Sequence, residues 1–402
     1  MSAAVPMPAW ARWGEQSTAS APWTVGVEEE VMLVEPSGWS LAQSIDDVLP
    51  ALGAALGQQA SAETHGAALE LATHPHARVS EAMDELAGLR GKLLRGLAGL
   101  GLRAACAGTH PFAVWRDTRI SGGERQQLVY GSMRELARRE PTFALHVHVG
   151  VPEPADAVRL ANRMRAHLPL LLALSANSPF WQGRDTGLSS ARTPLFQAFP
   201  RVGIPRAFDS YREWVETVDL LIRCKAFPES TFLWWDVRLQ PRFGTVEVRI
   251  MDSQTRVADT AAIVALIQAT ARLEVDEGYV STQLVDAPEV LAENRFLAAR
   301  DGMEAELIDP QAERTVPARE VLAALCDACR PHADDLGCAD ELAALAAPAE
   351  LYGDARQREL ARGPDRLPGL VCKLGEQFRA PRVPGAAGAE PPGGLTSAVA
   401  ER

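Results

Sequence analysis

"TVGVEEEVML", residues 24–33, reads as a β-strand, yet three consecutive glutamates occupy its middle. Glu is depleted in strands, and like charges set side by side repel. Side chains alternate faces along a strand, so residue parity sorts the three acids. Gly26, Glu28 and Glu30 share one face, while Val25, Val27, Glu29, Val31 and Leu33 share the other. Glu28 and Glu30 therefore project together, roughly 7 Å apart along the backbone. Two aligned carboxylates cost repulsion unless cations bind between them. Glu29 is the odd residue on the apolar side, which a partner arginine or a strand edge would explain.

The same parity test applies along the chain. In "LHVHVG" (145–150), His146 and His148 share a face, and Leu145, Val147 and Val149 point the other way. In "TVEVRIM" (245–251), Thr245, Glu247 and Arg249 oppose Val246, Val248 and Ile250. The preceding run places Trp234, Asp236 and Arg238 on one face. In "ALELAT" (68–73), Glu70 stands between apolar neighbours, with Glu63 seven residues earlier in "SAETHG" (61–66). Strands that each bury one face and show acids, His or Arg on the other build an acid-rich sheet surface. Hard cations take oxygen ligands, so such a surface suits a Mg²⁺–nucleotide site. Taken singly, each feature has a plainer reading: a solvated strand face, a hydrogen-bonded sheet histidine, or an Arg249–Glu247 salt bridge. His65, His74 and His76 form no metal spacing. No GxxxxGK[ST] occurs, which excludes a P-loop as the nucleotide holder, and neither GxSxG nor HExxH occurs.

The 402 residues allow one large domain or two to three ordinary ones. A hydrophobic share of 47% and a charged share of 23% are those of a soluble globular protein. The net charge of -12 argues against nucleic acid or an anionic membrane as a main partner. No stretch of about 18 apolar residues suggests a membrane span, and the N-terminus does not read as a secretory signal, so the cytoplasm is expected. Six cysteines are too sparse for a disulfide framework. Cys326, Cys329, His332 and Cys338 in "CDACRPHADDLGC" lack a second CxxC and lie in a helical segment, which favours ordinary packing over zinc. Residues 1–21 and the Pro/Gly/Ala-rich tail 380–402 read as flexible, with one catalytic domain over 22–379. Strands are expected at 24–34, 67–73, 102–108 and 143–151. A hairpin covers 231–252 and turns at Arg242 to Gly244. Helices are expected near 44–57, from Ser80, over 156–175, over 258–276 and across 317–347. Hairpins interspersed with helices predict α+β with an antiparallel sheet.

Six blocks in order resemble the carboxylate–amine ligases of the glutamate–cysteine ligase type 2 family. They are "VGVEEEVMLV" (25–34), "AETHGAALELAT" (62–73), "HVHVGVP" (146–152), "ANSPFWQGRDTGLSSARTPLFQAFPRVGIP" (176–205), "TVEVRIMDSQT" (245–255) and "ENRFLAARDG" (293–302). The resemblance runs from about residue 23 to 375. It implies the glutamine synthetase/glutamate–cysteine ligase superfamily fold, a curved, funnel-like antiparallel sheet with helices outside, also seen in guanidino kinases. It implies ATP and Mg²⁺, small-molecule carboxylate and amine substrates, and a homo-oligomer by analogy. It also implies two-step chemistry, an acyl phosphate made from ATP and then displaced by an amine. Carried over position by position, Glu28, Glu30, Glu63, Glu70 and Glu247 are the implied metal ligands. His148 is implied near metal and nucleotide, and Arg249 beside the transferring phosphoryl group. Arg192 and Arg295 fall in matching blocks and are read as nucleotide-binding, and His146 fits the motif without an assigned role. The first expectation is a glutamate–cysteine ligase-like reaction, with cysteine or another amine as acceptor. The alternatives are a guanidino kinase-like phosphotransferase, a metal-dependent hydrolase on the same carboxylates, and a non-catalytic nucleotide or metal sensor.

Overall fold

The computed structural model describes residues 7–15, 22–139, 141–346, 352–363 and 366–379. The expected flexible tail, 380–402, lies outside the described residues, as do 1–6 and 16–21. Residues 7–15, expected to be loose, are instead packed on the body. Ala11 is buried, its carbonyl accepts from the Tyr211 hydroxyl at 2.6 Å, and the Trp13 indole donates to the Val151 carbonyl at 2.8 Å. The tryptophans of this otherwise Ala/Pro-rich segment supply apolar area and a hydrogen-bonding tip, which suffices to dock it.

Among the described residues, seven strands form the main sheet: β1 (Val25–Val34), β2 (Ala60–Ala62), β3 (Ala68–Ala72), β4 (Arg103–Ala105), β5 (Ala144–Gly150), β6 (Val237–Gln240) and β7 (Thr245–Asp252). Their order is β6-β7-β5-β1-β3-β2, with β4 pairing the far end of β1, and every pairing is antiparallel. The α+β expectation therefore holds. β6 and β7 are the expected hairpin, closed by the turn at 241–244 where Gly244 takes a positive φ of 68°.

The helices that matter for the site are α1 (Ile45–Leu56), α2 (Val79–Gly99), α3 (Glu124–Met133), α4 (Pro154–Met164), α5 (Leu168–Ser175), α6 (Arg192–Phe196), α7 (Val257–Asp276), α8 (Pro288–Asp301), α9 (Ala318–Leu336) and α10 (Arg366–Arg379). The single helix expected over 156–175 is two. Arg165 to His167 form a turn between α4 and α5. Pro169 has no N–H to return to Arg165 and its ring would clash with that carbonyl, so the helix must restart. His167 uses the break to reach Glu274 on α7 at 2.6 Å.

One face of the sheet carries Val25, Val27, Val31, Leu33, Leu145, Val147, Val149, Val246 and Val248. These join Met83, Leu86 and Leu93 of α2 and Ile263 and Ile267 of α7 in the main core. The other face is divided. Its Met32–Val34 end, with Ala68, Ala105 and Phe143, is covered by Leu370, Val371 and Leu374 of α10. Its Glu28–Glu30 end is left open, and there the cavity forms. Cys329 packs against Thr270 and His332 pairs with Glu277, so the CxxC segment of α9 is engaged with α7 and its C-cap. Among the described residues, no helix is long and apolar enough to cross a membrane.

Candidate active site

The antiparallel register sets the acids and histidines beside one another. Glu28 lies opposite His146, Glu30 opposite Glu70, and His148 opposite both Gly26 and Glu247. Glu247 in turn lies opposite Arg238. A cavity of about 490 Å³ opens over this patch, with Glu28, Glu30, Glu63, Glu70, His146, Arg192 and Arg249 in its wall. Among the described residues, three overlapping sets offer ligand atoms within 4.8 Å of one another: Glu30, Glu63 and Glu70; Glu28, Glu70 and His146; and Glu28, His148 and Glu247.

The acids of the patch differ in their charge environment. Burial pushes Glu30 up to about 8, with Glu63 adding repulsion against the pull of Arg192. Burial likewise raises Glu70, and the charges of Glu28, Glu63 and Glu30 add to it. Glu63 is raised too, chiefly by burial. Glu28 goes the other way: burial opposes its ionisation, but His148 and His146 outweigh burial and hold it well below the usual carboxylate range. On one side of the patch burial thus outweighs the nearby arginines, and on the other the histidines outweigh burial.

Glu247 is the most heavily engaged. Arg238 donates to it from Nε at 2.9 Å and Nη2 at 3.1 Å, Gln240 donates at 2.8 Å, and Arg249 Nη1 closes on Oε1. Against its burial, Arg238 and Arg249 hold it far below an ordinary glutamate. His148 Nδ1 meets Thr245 Oγ1 at 2.9 Å. Its Nε2 lies 3.2 Å from Glu28 Oε1 and 3.9 Å from Glu247 Oε1, without a well-aligned hydrogen bond to either. Glu247 and His148 therefore sit beneath the cavity wall rather than in it.

Arg192 opens α6 and is placed by Asp252. That buried carboxylate accepts from the Asn177 N–H at 2.8 Å, Ser178 Oγ at 2.6 Å and Ser190 Oγ at 3.0 Å, and Arg192 Nη1 lies 3.8 Å away. Arg192 also donates to the Ile250 carbonyl at 3.0 Å, while its buried Nε has no partner among the described residues. Gly108 permits this arrangement, since a Cβ there would lie 2.5 Å from the Asp252 carboxyl carbon. Arg295, grouped with the nucleotide binders from sequence, is set back from the cavity: its Nε donates to Asp236 at 2.6 Å, and Asp236 lines the wall.

Sequence reasoning left several wall residues unassigned. Asp236 and Arg238 carried a parity signal and could have been selected. Arg125 and Glu229, an ion pair in which both side chains are about half exposed, come from segments without strand periodicity. Asp252 was hidden by a β-bulge between Val248 and Met251 that reverses strand parity.

Solved structures with this fold include glutamate–cysteine ligase from Francisella tularensis in complex with AMP. It shares 14% identity at a TM-score of 0.66, with 90% of each chain covered. A bifunctional glutathione synthetase from Pasteurella multocida aligns at 0.65 and 14% identity, over 88% of this chain and 52% of that one. Among relatives by sequence, a Rubrobacter xylanophilus protein provisionally named glutamate–cysteine ligase 2-1 is 40% identical over 84% of this chain and 90% of its own. A Herpetosiphon aurantiacus protein provisionally named glutamate–cysteine ligase 2 is 38% identical over 79% and 82%. Fold and relatives together define an ATP-dependent carbon–nitrogen ligase. More particularly, the match over residues 24–373 shows that the chain belongs to glutamate–cysteine ligase family 2.

Proposed function

We propose that this ligase joins a small carboxylic acid, with L-glutamate the first candidate, to an amine through an acyl phosphate. The observation that carries the reading is the overlap of three carboxylate and imidazole sets in and just beneath the wall of one cavity, beside Arg192 and Arg249. Phosphoryl transfer between two anions asks for charge neutralisation and in-line positioning more than for covalent help from the protein.

The donor chemistry fits Mg²⁺. Glu30, Glu63 and Glu70 offer hard oxygen ligands, and all three are raised, first by burial and then by neighbouring carboxylates, against the pull of nearby arginines. Glu28, with His148 and Glu247 beneath it, forms the second donor set. A metal held by these residues would supply charge neutralisation for the phosphates. Arg249 and Arg192 supply fixed positive charge in a buried wall, where it acts more strongly than in water. Glu247, Arg238 and Gln240 hold Arg249 in its place. The substrate carboxylate attacks the γ-phosphorus, ADP leaves, and the amine then displaces phosphate from the acyl carbon. Action on small molecules in the cytoplasm is part of this proposal.

The test is coupled ADP and phosphate release from purified protein with Mg-ATP, L-glutamate and an amine panel that includes L-cysteine, with products identified by mass. ADP, phosphate and an amide mass are expected together, and only with a competent amine. A stable phosphorylated product without free phosphate would instead establish a phosphotransferase, and turnover without ATP a hydrolase.

A further inference from the structure

The cavity wall has two unlike parts. In one, Gln240 leads into the β6–β7 turn that carries Arg242 and Phe243; Arg242 is exposed and Phe243 is 40% exposed, so this part meets solvent. A long polar ligand such as a nucleotide can extend there. In the other, the Arg192 guanidinium, close enough to Glu30 for their charges to act on each other, lies 5.5 Å from the Phe196 ring, and Phe196 lies 5.1 Å from Phe199. Helix α3 adds Arg125, Gln126, Val129 and Met133 to the wall. At 3.6 residues per turn these positions fall within an arc of about 100°, so one helix face serves the cavity. Gln126 Nε2 fixes that face beside Glu63 by donating to the Ala62 carbonyl at 2.6 Å. Val129, Met133 and Phe199 are each less than a tenth exposed yet line the cavity. No cysteine stands among the lining residues. A buried apolar wall rewards apolar substituents and gains little from a thiol or hydroxyl.

We propose that the amine acceptor carries a branched aliphatic or aromatic substituent, held by Val129, Met133, Phe196 and Phe199 beside Arg192. This rests on the ligase reading above and names the acceptor class. The amine enters as its free base. Its nitrogen lone pair forms the C–N bond as the C–O bond to phosphate breaks, and its surplus proton leaves with hydrogen phosphate.

The experiment has two arms on the full-length protein. Hydroxylamine, small enough to need no substituent pocket, first traps the acyl phosphate as a hydroxamate from Mg-ATP and a panel of carboxylates led by L-glutamate. The amine panel then compares L-leucine, L-phenylalanine, isobutylamine and benzylamine with L-cysteine, L-alanine and glycine. The apolar amines are expected to lead in kcat/KM by about tenfold or more, the scale of one methylene-sized contact in a fitted pocket. Met133→Gln is expected to raise KM for the favoured amine at least about fivefold and more than it raises KM for ATP. Val129→Thr, similar in shape, repeats the comparison if Met133→Gln does not fold. Hydroxamate formation with cysteine, alanine or glycine preferred would overturn the inference and leave the ligase reading standing. So would a preference for apolar carboxylates with no discrimination among amines, since the wall would then serve the acid. No hydroxamate from any carboxylate removes the ligase reading and this inference with it.

Discussion

Glu30 and Glu70 face each other directly across β1 and β3, and Glu63 adds a third carboxylate to the same set. Like charges directly opposite one another in a sheet cost about 0.2–1 kcal/mol. Removing one of them should therefore relieve the metal-free protein while weakening its hold on cations. Glu70→Gln is expected to raise the melting temperature in EDTA and to abolish most of the rise that added Mg²⁺ gives the wild type. Thermal melts with and without Mg²⁺ check this. A variant that melts lower in EDTA, or keeps the full Mg²⁺ response, would remove Glu70 from the metal set. The face of Glu30 and Glu70 was legible from parity, because a strand offers only two faces, whereas Glu63, outside any strand, entered through the family resemblance. The place of Arg295 behind Asp236 was not legible: it depends on where α8 meets β6, which no local pattern states.

Glu29 shows how strands and helices are locked together. It lies on the core face of β1, fully buried, and Arg90 of α2 meets it from Nε at 2.9 Å and from Nη2. Arg90 also donates to the carbonyls of Thr255 and Gln254, each at 2.9 Å, so one guanidinium ties α2 and β1 to the segment between β7 and α7. Breaking such a buried pair from one side leaves an uncompensated charge and costs about 3–5 kcal/mol, whereas replacing both partners by apolar groups is far cheaper. Arg90→Met and Glu29→Leu are each expected to be strongly destabilised in urea unfolding, and the double variant to recover most of the loss. Additive losses would mean that the pair is not the coupling element. The need for a partner at Glu29 was readable in sequence. That the partner would be Arg90, 61 positions away, was not. The bulge in β7 is a comparable case. It moves Asp252 onto the site face, where it holds the 177–192 loop and Arg192, while Met251 takes the core position opposite Leu145.

The fold as a whole buries histidines that it keeps neutral. His110 donates from Nε2 to the Trp39 carbonyl at 2.8 Å, and its Nδ1 accepts from the Ala113 N–H at 3.0 Å, so both ring nitrogens are used without an added proton. Burial lowers His110 and His65 to about 4. In the unfolded chain each returns to about 6.5. Between those values the unfolded state binds more protons, so stability must rise with pH across this window. It is fully present above about pH 6.5 and lost as pH falls towards 4, by roughly 3 kcal/mol at most for each histidine. Urea midpoints measured from pH 7 to pH 4 should fall steadily. His110→Asn, which keeps an acceptor and a donor without the proton affinity, should flatten part of that slope. An unchanged slope in this variant would show that His110 is protonated in the folded protein or that other groups carry the acid response.

The antiparallel sheet, its two faces and the acids gathered on one of them were set by residue alternation, because strand geometry converts parity directly into facing. Family membership was likewise legible, since six blocks kept their order along the chain. The tertiary structure decided which half of the polar face stays open, because α10 arrives from the far end of the chain to cover the other half. It also decided that Asp252 rather than Met251 shares the face of Glu30, that Arg295 stands behind Asp236, and that apolar side chains of α3 and the 196–199 segment line the cavity. These are long-range placements, fixed by packing between segments distant in sequence, and no periodicity within a segment contains them.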